Sequence, residues 1–158
     1  MRVPAAVVAV AMSLSFPAAA QTARSGDITL SGPQIRASIG RARASAGYLT
    51  IRNTGMQPDQ LYFVSCACAE KVEMHTHQMA GGVGKMVRLP SIIVPAGGQV
   101  TLAPGGVHLM FMGLKERLAK GDDQKVTLTF AKAGRITTTF AVVTRVGAPA
   151  APSHHHPR

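Results

Sequence analysis

Tryptophan is absent from the 158 residues, and two tyrosines and five phenylalanines bring the aromatics to only 4%. With 46% hydrophobic residues a core can still form, but it must be aliphatic, built from Val, Leu and Ile with some Met. Acid is scarce as well: 7 Asp and Glu stand against 17 Lys and Arg, for a formal charge of +10. Such a balance often accompanies nucleic-acid binding. Here the basic residues are scattered, so the charge is read as a solubility device that can also steer the chain to an acidic partner or membrane surface. No hydrolase triad, phosphate loop or zinc-protease motif is present, so an enzyme is not expected. Internal repeats are absent too.

Long apolar runs are also missing beyond the start of the chain. Met1-Arg2 is followed by a short, mostly apolar stretch from Val3 to Phe16 and then by Pro17-Ala18-Ala19-Ala20. Small residues at 18 and 20 fit the cleavage rule of a secretory signal peptide. The stretch falls short of the roughly 20 apolar residues of a lasting transmembrane helix. Residues 1–20 are therefore expected to be a signal peptide, with export from the cytoplasm and no stable membrane insertion. Export also argues against nucleic acid as a partner. The mature chain is long enough for one domain, placed at residues 21–146. From Gly147 the chain reads Gly-Ala-Pro-Ala-Ala-Pro-Ser-His-His-His-Pro-Arg, which has nothing to bury, so 147–158 are expected to be a disordered tail.

What remains is strand-like. Short β-prone runs alternate with Gly, Pro, Asn and Asp at Ile28–Leu30, Gly47–Arg52, Gln60–Val64, Glu70–His77, Gly84–Leu89, Ile92–Val94, Gln99–Leu102, His108–Met112, Lys125–Phe130 and Arg135–Thr144. Only Leu114–Lys120 reads as a short helical turn. Many short strands with frequent turns point to an all-β antiparallel sandwich or barrel.

Two of these runs carry soft metal donors. Alternation along Glu70–His77 sends Val72, Met74 and Thr76 to one face and Lys71, Glu73, His75 and His77 to the other. The apolar set faces the core. A turn centred between Ala80 and Gly81 would place His75 opposite Met86 and His77 opposite Gly84. In His108–Met112, Leu109 and Phe111 suit the core, which leaves His108, Met110 and Met112 together on the opposite face. If the two runs are neighbours, His75, Met86, His108 and Met110 converge. Thioether sulfur favours Cu(I), and imidazole serves copper in either oxidation state. Hard cations want oxygen, and structural zinc wants four Cys or His. Thioethers also survive outside the cytoplasm, where thiols are oxidised to disulfides. A single Met in a strand is usually core and a single His usually surface; the shared face on two strands is what favours a site.

His77, Met79 and Met112 lie near this set as supporting groups, alternate ligands or plain surface. Cys66 and Cys68, the only cysteines, share a face at i, i+2. They can be a strained and reducible disulfide, inert thiols, a redox pair or copper ligands. Seven residues separate Cys68 from His75, roughly 23 Å along a strand, which keeps them from the main site. An electron-transfer blue-copper site would need a Cys beside His108 and Met110, and none is there. The tract His154, His155 and His156 can hold Cu(II) as an accessory site or be a solvated tail with no role.

The spacing from His75 through Met86 and His108 to Met110 is H-x10-M-x21-H-x-M. It resembles the signature of the periplasmic copper chaperone family PCuAC. Flanking text is similar as well: Val72-Glu73-Met74-His75, Gly82-Val83, Val94-Pro95-Ala96-Gly97-Gly98, Pro104-Gly105-Gly106-Val107-His108-Leu109-Met110 and Met112-Gly113-Leu114-Lys115. The resemblance covers roughly residues 25 to 145. It implies a cupredoxin-like Greek-key sandwich and Cu(I) carriage to the binuclear copper site on subunit II of cytochrome c oxidase, beside a Sco-type protein. It puts the ligand roles on His75, Met86, His108 and Met110. Thiol redox chemistry, electron transfer and general periplasmic copper buffering are the competing readings. Gly84 stands where many relatives of that family carry a further Met.

Overall fold

The turn-punctuated β-prone runs become strands in a computed structural model that describes residues 22–147. The expected signal peptide, residues 148–158 of the expected tail and the His154–His156 tract lie outside the described residues. The strands are β1 (Thr22–Ser25), β2 (Ile28–Arg36), β3 (Ala44–Asn53), β4 (Asp59–Cys66), β5 (Ala69–Ala80), β6 (Val83–Leu89), β7 (Ile92–Val94), β8 (Gln99–Leu102), β9 (His108–Leu114), β10 (Asp123–Phe130) and β11 (Gly134–Val143). Each expected strand overlaps one of these. The first, β1, was not anticipated, and β2 runs on past Pro33.

Pro33 does not stop β2 because it falls at an irregularity in the β2–β3 register, between Ser31 and Gln34. A proline that donates no hydrogen bond is tolerated at such a point. Beyond it, Gln34–Arg36 add a parallel pairing with β11. In this way β2 links two layers. The hydrogen-bonded order is β6-β5-β9-β3-β2-β11-β10-β4-β7, with β1 on β2 and β8 on β3. The chain passes from β3 in one layer to β4 in the other and back to β5.

Aliphatic side chains fill the space between the layers, among them Leu30, Ile51, Leu61, Val94, Leu109, Val126 and Leu128. The few aromatics are used at its centre. Phe111 of β9 meets Phe140 of β11 edge-on, with ring centroids 6.2 Å apart. Those strands lie three places apart in the sheet order, so the contact joins the two layers face to face. Gly47 of β3 is needed under the Phe111 ring, because a Cβ there would lie 2.5 Å from Phe111 Cε2.

Among the described residues there is no helix, so the expected helical turn at Leu114–Lys120 is not formed. Its backbone groups are claimed by other segments. Lys115 N–H donates to Cys68 O, Ser38 N–H donates to Leu118 O, and Leu118 N–H donates to Ser38 Oγ. Leu118 itself is buried in the core. Partners across the chain replace the local i to i−4 ladder.

One buried carboxylate ties the far layer together. Asp59, at the start of β4, accepts hydrogen bonds from the backbone N–H groups of Gln60 (2.7 Å), Lys132 (2.9 Å) and Ala133 (2.9 Å). Burial alone would push its pKa up. The three N–H donors and the nearby Lys132 charge together outweigh burial and hold it below the ordinary carboxylate value.

Candidate metal centre

The layer β6-β5-β9-β3 presents its second face away from the core, and the soft donors lie there. Met74, Leu109 and Phe111 are buried on the core side. Alternation therefore puts Glu73, His75, His77 and Met79 of β5 with His108, Met110 and Met112 of β9 on the opposite face.

The hairpin that brings in β6 differs from expectation. Its two-residue turn is Gly81-Gly82, with φ of 59° and 78°, and Ala80 pairs with Val83. Hairpins of this type need positive φ at both central positions, which two glycines supply and Ala80 would resist. The expected register is thus two residues out. Met86 stands opposite His77, His75 opposite Arg88, and Met79 opposite Gly84. A shift of two preserves the face, so Met86 stays on the side of the histidines; a shift of one would have lost it.

The direct partner of His75 lies on its other side. β5 and β9 pair His75 with His108 and Glu73 with Met110. The two imidazole centroids are 6.1 Å apart and nearly perpendicular. His77 stacks on His108 at 5.3 Å, and Tyr48 of β3 closes the other flank at 6.5 Å. His108 is only 3% exposed and the His75 side chain 13%, whereas Met86 is 41% exposed. Met110 follows His108 on the same face of β9, and Met86 lies diagonally across from His75. The structure thus sets His75 and His108 directly opposite each other, with Met110 two residues along β9 on the same face and Met86 beside His77 on the edge strand.

Hydrogen bonds fix which nitrogens are free. His75 Nε2 lies 3.0 Å from Glu73 Oε2. A carboxylate accepts, so Nε2 carries the proton and Nδ1 keeps its lone pair. That Nδ1 is buried and has no hydrogen-bond partner. His108 Nδ1 lies 2.9 Å from Gly106 O, so Nδ1 donates and Nε2 carries the lone pair. A buried polar atom without a partner costs about 1–3 kcal/mol, which a bound metal ion would offset. Glu73 is itself anchored by Lys71 at 3.0 Å and by the more distant Arg88 at 3.8 Å. The hydrogen bonds from Lys71 and His75, helped by the Lys71 and Arg88 charges, hold its pKa below the ordinary value against the effect of burial. A carboxylate behind a ligating imidazole is a recurrent device that orients the ring and raises its basicity.

Among the described residues, no three His, Cys, Asp or Glu side chains form a group that could hold a metal. A centre on this face must therefore draw on thioethers, and a donor set of two imidazoles and methionine sulfur fits copper, above all Cu(I). The cysteines take no part. Cys66 and Cys68 form a disulfide at the β4–β5 turn. Ala69 of β5 pairs with Leu114 while His75 pairs with His108, which puts the bridge roughly 20 Å along the strand from the histidines. Of the readings open to the pair, the disulfide is the one formed.

Alternation along β5 already puts Glu73 on this face in the sequence but assigns it no task. Its position two residues before His75 was the available signal. The stacking of His77 on His108 and the flank at Tyr48 depend on strand order and had no such signal.

Comparison with known proteins supplies the wider context. Residues 28–142 match the family described as "Putative lipoprotein LpqE-like". The chain belongs to the LpqE-like family. A curated relative, "Putative lipoprotein Lxx21020" of Leifsonia xyli subsp. xyli, is 30% identical over 122 residues, which span 75% of this chain and 72% of the relative. Among solved structures, this LpqE-like chain is similar to the copper-bound PCuAC domain from PmoF2, with a TM-score of 0.69 and 27% identity over 78% of this chain and 98% of that one. It is also similar to the solution structure of CuI-DR1885 from Deinococcus radiodurans, with a TM-score of 0.61 and 29% identity over 73% and 77%. The LpqE-like fold is therefore that of PCuAC domains, an all-β, cupredoxin-like sandwich, as the sequence resemblance implied.

Proposed function

We propose that this LpqE-like protein is a Cu(I)-binding metallochaperone of the periplasm that acts as a carrier and not as an enzyme. His75 through Nδ1, His108 through Nε2, and the sulfurs of Met86 and Met110 would hold the ion. The observation that carries this reading is the buried, unpartnered Nδ1 of His75 directly across from His108, on a face that also carries the thioethers of Met86 and Met110. Two similar structures carry copper in their names, one as Cu(I). The lipoprotein names of the family and of the curated relative support a place in the cell envelope. All four donors are neutral, so a bound Cu(I) keeps its +1 charge. No thiolate traps it, which suits release to a recipient. The recipient implied by the sequence resemblance is the binuclear copper site of cytochrome c oxidase subunit II, reached together with a Sco-type protein.

X-ray absorption on the Cu(I)-loaded protein tests the site by counting ligands, and a mixed set of two nitrogens and two sulfurs is expected. Replacing both methionines, Met86→Ile with Met110→Ile, should abolish stoichiometric Cu(I) binding in competition with a Cu(I) chelator. Undiminished affinity in that variant would sink the assignment. Transfer to purified, copper-free oxidase subunit II tests the recipient. Tight binding without such transfer would point to copper buffering instead.

A further inference from the structure

Of the donors on this face that the quartet leaves unused, His77 and Met79 of β5 lead in one direction. His75, His77 and Met79 are alternate residues of β5, so they share a face at intervals of about 7 Å. The first is nearly buried, and the last is 74% exposed at the tip of the hairpin. Met86, the most exposed of the four proposed ligands, stands opposite His77. Met79 stands opposite Gly84, and a Cβ built on Gly84 would lie 3.6 Å from Met79 Sδ. The thioether therefore lies beside Gly84 on the hairpin, at ordinary contact distance from where a Cβ would stand. His77 stacks on His108 and so reaches back to the buried pair.

We propose that His77, Met79 and Met86 form an exchange station for Cu(I) at the tip of the β5–β6 hairpin, through which the ion enters and leaves the His75–His108 pair. This rests on the copper reading above. The physical need is plain. With His108 3% and the His75 side chain 13% exposed, the donors of another molecule would meet a Cu(I) ion first on the side of the exposed Met86 and Met79. Thioether ligands exchange readily, and a file of them permits transfer one bond at a time. On entry, the lone pair of Met79 Sδ forms a new Cu–S bond as one donor of the carrier departs with its own lone pair. Met86 and His77 then replace the carrier's remaining donors, and His75, His108 and Met110 take over from Met79 and His77 while Met86 stays bound. The metal stays Cu(I) throughout, and no electron or proton is consumed. Release runs the same steps in reverse.

A station visited only in passing lowers the barrier equally in both directions, so it changes rates and not the binding constant. That separates it from a ligand of the final site and from an ordinary surface methionine. The test is stopped-flow transfer of Cu(I) between the protein and a bidentate Cu(I) chelator, bathocuproine disulfonate, together with an equilibrium competition for the same ion. Met79→Ile should slow both uptake and release by about tenfold, on the scale typical of losing a group that supports a metal site, while the equilibrium affinity stays essentially unchanged. Gly84→Val keeps the Met79 sulfur but sets against it a branched side chain that is suited to a strand and restricts its movement. It should slow exchange in the same way. Wild-type rates in both variants would overturn the proposal. So would a loss of affinity in Met79→Ile, which would make Met79 a resident ligand. If the wild-type protein binds no Cu(I) at all, the copper reading fails. If it binds one ion and Met79→Ile exchanges at the wild-type rate, only the station fails.

Discussion

The chemistry of the candidate centre turns on one side chain that donates nothing to a metal. Glu73 accepts the Nε2 proton of His75 and thereby commits Nδ1 to act as a donor. Its own charge is kept by Lys71 and Arg88, both on the same face. Glu73→Gln keeps the shape, but its side chain can turn its NH2 toward His75 and no longer fixes the tautomer. We expect Cu(I) affinity to fall by about 10–100-fold in this variant, with thermal stability little changed, as measured by chelator competition and calorimetry. An unchanged affinity would mean that His75 is oriented by packing alone. The same residue was visible in the sequence only as a charge two positions from a histidine. Alternation gave it the correct face. That it touches His75 depends on rotamers, which no periodicity encodes.

At the scale of the element, the β5–β6 hairpin decides which donors meet. Its strands were legible because apolar alternation and the Gly81-Gly82 pair mark them. Its register was not, because Ala80, Gly81 and Gly82 admit more than one two-residue turn by composition. The conformational cost of positive φ at a residue with a Cβ chooses between them. Gly82, at φ 78°, is the position most exposed to this cost. Gly82→Val should destabilise the protein by about 1–2 kcal/mol in chemical denaturation and loosen β6 first. Hydrogen exchange should show lost protection in Val83–Leu89 while β9 keeps its own. Uniform loss across both strands would mean that the hairpin and the sandwich unfold as one unit. The absent helical turn at Leu114–Lys120 teaches the same lesson. Its sequence permits a turn of helix, but Ser38 and Cys68 take the backbone groups that helix would need.

For the whole molecule, the layer behind the candidate metal face must hold its own strands together, and Asp59 does so by tying the start of β4 to the β10–β11 turn. Its folded pKa lies below the ordinary value, so the folded state binds fewer protons than the unfolded one. The stabilisation is therefore complete above the ordinary carboxylate pKa and is lost as pH falls through the folded pKa. Stability measured by denaturant should drop on acidification from about pH 5 to about pH 3. Asp59→Asn should cost about 2 kcal/mol at neutral pH, since one of its backbone N–H partners loses its acceptor, and should flatten that acid limb. A variant with the full acid dependence of the wild type would assign the effect to other carboxylates. Asp59 lies in the layer away from β5 and β9, so this variant should still bind Cu(I) while folded.

The sequence by itself determined the all-β class, a mainly aliphatic core, the face on which each donor lies and the kind of metal that face would suit. All of these follow from side-chain type and a period of two, which are local properties. Tertiary structure decided what those donors meet. It paired His75 with His108, set Met86 beside His77, closed Cys66 onto Cys68 far from the histidines and left His75 Nδ1 buried without a partner. The physical reason is that strand order and turn geometry are settled by long-range closure of the sandwich, where burial on one face and backbone hydrogen bonding on two edges must be satisfied together.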